Sequence, residues 1–261
     1  MKKSYFLLAL PVVGSLVALA PIPPAVAPPG ASGRVPVVVE LFTSEGCSSC
    51  PGADAALREL EAAQSVPGAE VIALGEHVDY WNHLGWKDAF SSPAHTARQR
   101  QYAQRFGSGA YTPQAVVSGT YELVGSRTGA LAEAVAKAAT APQAALELTV
   151  TGNRAQVRVR SLPAHTPAAE VLLAVTESGL ASQVGRGENS GRLLRHAAVV
   201  RQLIPLGMVG KDGAFAAGTD VALGAGWKRA NLRLVALVQE KESRRIVGVR
   251  AFKMQAEENK M

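Results

Sequence analysis

Cysteine is scarce in this chain: two residues of 261, Cys47 and Cys50. That count excludes a disulfide-stapled scaffold and a four-cysteine zinc site. Aromatic residues make up 5% of the chain, too few for a base-stacking surface. No glycine-rich dinucleotide fingerprint stands at a strand-to-helix turn, which argues against a nicotinamide or flavin reductase. Heptads and internal repeats are missing too. The longest apolar run, Tyr5 to Ala20, is broken by Pro11 and Gly14 and is short for a membrane span. What remains, 48% hydrophobic and 18% charged residues, is the balance of a globular protein.

The formal charge of +6 is unevenly placed. Residues 34–140 hold 8 basic and 11 acidic residues, a net of −3, whereas residues 141–261 hold 17 basic and 10 acidic, a net of +7. The basic half does not imply nucleic acid, because its arginines alternate along strand-like segments as ordinary wet faces do. Such a face suits an anionic membrane surface or the acidic half of the chain.

Lys2 and Lys3 ahead of the apolar run form the layout of a secretory signal. Export to the periplasm or medium is therefore expected. Ala18-Leu19-Ala20 and Ala25-Val26-Ala27 both fit a cleavage site, each followed by proline, and an uncleaved anchor fits as well. Residues 1–33 are assigned to this signal and a Pro-rich tether. An oxidising compartment allows the two cysteines to pair.

Val35 to Phe42 is a short β-rich apolar run of the kind buried in parallel sheets. Cys47-Ser48-Ser49-Cys50-Pro51 follows, then an Ala/Leu-rich helical segment to Gln64. Proline is tolerated in a helix's first turn, so Cys47 belongs at a helix N-terminus, where free amides favour a thiolate. Cys50 faces inward, suited to resolving a mixed disulfide. A second strand (69–75), a helix (92–106), a hairpin (114–118 and 121–124) and a helix (128–140) complete the pattern. Glu45, two residues from Cys47, opposes a very acidic thiol. His77, Asp79, Tyr80, Trp81, His83, Trp86, Lys87 and Asp88 form a dense segment after the second strand, at the edge where α/β sheets bind ligands. A substrate groove, a proton relay and a folded cap all fit it. Arg98, Arg100 and Arg105 read as a solvated helix face.

The order β-α-β-α-β-β-α, with Cys-x-x-Cys after the first strand, resembles the thioredoxin superfamily over roughly residues 35–140. The resemblance implies that Pro113, in Tyr111-Thr112-Pro113, is a cis-proline that positions substrate backbone beside Thr112. It also implies that Glu40 acts as a buried proton relay. More narrowly, VVVELFTSEGCSSCPGAD, HVDYWNHLGWKDAFSSPAHTARQRQYA, YTPQAVVSG and RGENSGRLLRHAAVVR resemble a family of secreted bacterial thioredoxin-like proteins of unassigned function.

From Pro142 the pattern changes to short alternating strands separated by Gly, Pro and Asp turns, at 145–150, 155–160, 169–177, 195–203, 231–239 and 246–252. The expectation is an α/β thioredoxin-like domain (34–141) followed by a mostly antiparallel, sandwich-like β domain (142–257). Arg186-Gly187-Glu188-Asn189, a turn, and Arg192 to His196 form a polar cluster in which an Arg–Glu pair organises a long loop; holding an anion or contacting the redox unit is the alternative. The function expected is exported thiol–disulfide exchange by Cys47 and Cys50. Pro113 and Glu40 assist, and Thr112, His77, Asp79 and Trp81 meet a protein or small-thiol disulfide. No organic cofactor is required, and no metal is assigned. Two alternatives stay open: a copper or zinc carrier using the same cysteines with a histidine, and a non-catalytic interaction protein.

Overall fold

The computed structural model describes Met1 and residues 33–256. The expected signal and tether therefore lie, but for Met1 and Gly33, outside the described residues. β1 (Val35–Thr43) leads into α1 (Cys50–Ala63), β2 (Ala69–His77), α2 (Pro93–Phe106), β3 (Gln114–Val117), β4 (Tyr121–Val124) and α3 (Thr128–Ala138). Strands follow: β5 (Ala145–Thr151), β6 (Arg154–Ser161), β7 (Ala169–Glu177), β8 (Ala181–Gln183), β9 (Leu193–Arg195), β10 (Val199–Met208) and β11 (Phe215–Asp220). A 3-10 turn at Arg229–Asn231 then precedes β12 (Leu232–Glu240) and β13 (Ile246–Lys253). None of the described helices is long and apolar enough to cross a membrane.

The architecture is mixed α/β around a large, mostly antiparallel sheet of order β13-β12-β7-β10-β2-β1-β3-β4. β1 and β2 are parallel from Val35↔Ala69 to Thr43↔His77, with α1 as their crossover. β3 runs antiparallel to β1, setting Gln114 opposite Phe42. Both expected units feed this one sheet, which continues past β2 where Val199 of β10 pairs with Gly75. Gly75 donates its N–H to Ala198 O at 2.6 Å, and a Cβ there would sit 3.3 Å from that oxygen. Small size at position 75 is what lets the two parts close up.

The second sheet, β11-β6-β5, lies over the β7–β12 end of the first, and Leu146, Val157, Val171, Leu234 and Val238 share one core between them. A sandwich-like pair of sheets thus exists within the β-rich part. β8 and β9 form a separate small hairpin. The strand expected over 195–203 is divided: β9 ends at Arg195, residues 196–198 leave the ladder, and β10 continues through Pro205 by way of a bulge.

Period-two alternation sorts β1. Val37, Val39 and Leu41 meet Ala53, Leu57 and Leu60 of α1 and Leu131 and Val135 of α3, while Phe42 packs on Tyr102 of α2. Each such fully buried Leu or Phe stabilises the fold by about 1.5–3 kcal/mol. α1 stops at Gln64, which takes a left-handed φ of 48°. α2 starts on Ser92, whose side chain accepts the Ala94 N–H, and ends on Gly107 at φ 68°. Arg98 departs from the sequence reading. It is buried, not solvated, because it serves Glu40 at 2.6 Å and Gln239 at 2.9 Å.

Candidate functional site

Residues 44–49 turn the chain from β1 into α1, so Cys47 sits just before the helix and Cys50 at its first position. They form a disulfide with Cα atoms 5.4 Å apart. Pro51 occupies the first turn, where its missing N–H costs nothing. The inward burial expected of Cys50 holds, but Cys47 is buried as well, while Ser48 and Ser49 face solvent.

The β8–β9 connection fastens the cysteine loop. Asn189, fully buried, donates to the carbonyls of Glu45 and Cys47, each at 2.9 Å. Arg192 holds the Asn189 side-chain oxygen at 2.7 Å. Glu188 accepts the Ser48 N–H at 2.9 Å. The turn expected to organise itself by an Arg–Glu pair is therefore spent on the cysteine loop. Indole groups close the other sides. Trp81 donates to Thr112 Oγ1 at 2.9 Å and leaves so little room beside Gly46 that a Cβ would lie 3.1 Å from the Trp81 Cβ. Trp86 donates to Glu45 at 2.6 Å.

A buried polar layer lies behind the pair. Glu45 meets His196 Nε2 at 3.0 Å, and its own N–H goes to Asp88 at 2.9 Å. Asp88 also holds His77 Nδ1 at 2.6 Å. Asp54, one turn along α1 from Cys50, accepts from Thr43 Oγ1 at 2.7 Å. Burial disfavours the charged form of each group, but partners decide the outcome. Against that burial, His196 and the Trp86 indole hold Glu45 below the ordinary carboxylate value, and His77 does the same for Asp88. Asp88 raises His77 against its burial, whereas burial prevails at Asp54 and raises it.

The expected site residues divide accordingly. Cys47 and Cys50 are paired, and Trp81, which lies against Gly46, donates to Thr112, followed by Pro113 through a cis peptide bond. His77 is fully buried within the polar layer and offers no groove surface. Asp79 accepts from Thr96 at 2.5 Å on α2. Glu40 does not fit the relay role. It turns to the face opposite α1, where Arg98 and Tyr102 at 2.5 Å take its oxygens, and no described contact links it to the cysteines. The dense segment 77–88 is a folded cap in which Trp81 and Trp86 pack inward, and His83 stays exposed.

Asp54 escaped the sequence reading, whereas Asn189 and His196 entered it only within a polar cluster whose contact with the redox unit was the less favoured alternative. Asp54 carried a usable signal, since it follows Cys50 by four residues on the face that Leu57 continues into the core. An acid on that stripe calls for a buried partner. Asn189 and His196 reach the site across 142 and 151 residues, making the contact with the redox unit that the polar cluster had left as its alternative.

The family signature of a protein of unknown function, DUF1223, matches residues 38–239. An X-ray structure of a protein from Agrobacterium tumefaciens is similar at 26% identity and TM-score 0.67, covering 87% of this chain and 99% of that one. A domain of the outer-membrane lipoprotein Omp28 from Porphyromonas gingivalis aligns with 45% of this chain and 92% of its own, at 13% identity and TM-score 0.25. No curated protein matches the chain.

Proposed function

We propose that this chain, which belongs to the DUF1223 family of proteins of unknown function, is an exported thiol–disulfide exchange protein working through Cys47 and Cys50. One observation carries the reading: the disulfide closes a loop of four residues at the start of α1. So short a loop stabilises the fold modestly in the chain-entropy account, about 2 kcal/mol. Helix-end placement is what lowers the pKa of an attacking thiol.

The sheet order β2-β1-β3-β4, with α1 and α3 on one face and α2 on the other, supports a thioredoxin-like reading of residues 34–141. In that reading reduced Cys47 attacks a substrate disulfide as thiolate. A mixed disulfide forms and one substrate thiolate leaves. Cys50 then attacks the Cys47 sulfur, the second substrate thiolate leaves, and the Cys47–Cys50 disulfide holds the two oxidising equivalents. In that reading Thr112, which accepts from Trp81, and Pro113 receive the substrate backbone. Because both cysteines are buried, a protein or small-thiol substrate engages only when the cysteine loop opens, which the Glu188 and Asn189 contacts with its backbone resist. Export supplies the oxidising compartment in which this pair cycles.

The test is the reduction potential of the pair in a glutathione series, read by thiol alkylation and mass spectrometry. A reversible transition between about −120 and −280 mV supports exchange. A pair still oxidised below about −300 mV is structural, and the proposal then fails.

A further inference from the structure

Behind the disulfide, three buried side chains that each carry an unpartnered polar atom cluster together. Among the described residues Asp54 Oδ1, His77 Nε2 and His196 Nδ1 have no hydrogen-bond partner of good geometry, the Ala197 N–H being the nearest backbone donor to the Asp54 carboxylate. One ligand-capable atom from each of these three residues lies within 4.8 Å of the others. All three side chains are more than nine-tenths buried, and the two imidazoles meet edge-on with centroids 4.8 Å apart.

The opposite end of each group is already held. His77 Nδ1 is on Asp88, His196 Nε2 is on Glu45, and Asp54 Oδ2 is on Thr43. A carboxylate on one imidazole nitrogen fixes the proton there and leaves the other nitrogen as a lone-pair donor, the usual arrangement for histidines that ligate metal. With both rings in that tautomer and Asp54 ionised, the state a bound cation requires, the three free atoms are all acceptors. Asp54, Glu45 and Asp88 also gather three acids around two imidazoles. Burial of unpaired acceptors and excess negative charge is costly unless a cation completes the set.

We propose that Asp54, His77 and His196 form a binding site for a divalent first-row transition cation, with Zn²⁺ the best match. Two nitrogens and one carboxylate oxygen suit such ions, and three protein ligands leave a position for water. Ligand bonds of about 2.0–2.2 Å draw the three free atoms inward from their present spread. The site is distinct from the cysteines and does not depend on their turnover. A groove of about 410 Å³ passes His196, but Arg58, Arg195 and Arg233 line it. Cations therefore enter as the chain folds or as the covering loop opens.

The test uses the full chain in its disulfide form, stripped of metal and free of reductant, so that no thiolate is available. It is titrated with Zn²⁺ by calorimetry and with Co²⁺ by visible absorption. One equivalent binds, with a Co²⁺ spectrum free of sulfur charge transfer. Asp54→Asn and His196→Ala each weaken binding at least about 100-fold, and Asp88→Asn weakens it about 10- to 100-fold. The paired Cys47→Ser, Cys50→Ser variant binds as the parent does. Zn²⁺ also raises the parent's melting temperature, a readout that needs no variant to fold. Absence of binding and of that shift overturns the proposal, leaving the free atoms to an internal water. Binding that survives both Asp54→Asn and His196→Ala, or that falls with the serine pair or with His83→Ala, overturns it as well.

Discussion

Asn189 donates to the backbone carbonyl of Cys47 at 2.9 Å across 142 residues of sequence. Its second donor goes to Glu45 O at the same distance. An amide side chain from the β-rich part therefore fastens both sides of the cysteine turn.

Replacing Asn189 with Ala frees that turn. Two buried hydrogen bonds are lost, costing about 1–3 kcal/mol of stability, and the covered state loses a comparable bias. Reduction of the disulfide by dithiothreitol then speeds up about tenfold or more, as followed by alkylation against time. A variant that melts earlier but is reduced at the parent rate shows that the loop does not control access.

Replacing both cysteines by serine separates redox duty from stability. The chain-entropy estimate for a four-residue loop gives a loss of about 2 kcal/mol, visible in urea unfolding, while thiol–disulfide exchange disappears altogether. A loss of about 4 kcal/mol or more indicates that the pair is chiefly a staple.

Glu76 makes stability depend on pH. It is buried beside Glu40 and Arg98, whose Nε lies 3.4 Å from Glu76 Oε1. Burial raises its pKa well above 4.5, the nearby Arg98 opposes that rise, and Glu40 adds to it. Below about pH 4.5 folded and unfolded chains both carry this proton. Above it the unfolded chain releases the proton first, so stability falls with rising pH by up to about 1.4 kcal/mol per unit until the folded group ionises. Glu76→Gln removes the slope. Its urea midpoint exceeds that of the parent near neutral pH, and the two converge below about pH 4. Midpoints that stay parallel across the range show that Glu76 is ionised in the fold.

Gly119 joins the β3–β4 turn to the β12–β13 hairpin. Its φ is +64°, and an added Cβ would lie 1.9 Å from Arg244 O. Gly119→Ala strains the backbone and pushes the two turns apart, a loss of about 3 kcal/mol or more by urea unfolding. A loss under about 1 kcal/mol means that the turns separate freely.

Local signals explain what was legible in advance. The valine run of β1, Pro51 in the first turn of α1, Ser92 and Gly107 bounding α2, and Gly119 between β3 and β4 each act within a few residues. Their elements accordingly fall where periodicity and capping place them. Long-range pairings were not legible. Arg98 looked like a solvated helix residue because Glu40 and Gln239 lie 58 and 141 residues away. Glu188 looked like part of a self-contained turn because Ser48 is 140 residues distant. β11, FAAGTD, was missed because its alanines, glycine and polar residues lack the β-branched run that marked its neighbours.

The covering loop also imposes an order in time. A chain made from its N-terminus produces β1, α1 and both cysteines long before Glu188, Asn189 and His196 exist. Until then the pair is open to any oxidant or partner it meets, and the polar layer lacks one imidazole. Only once residues 188–196 are in place can the site close, so a later part of the chain acts as a latch on an earlier one.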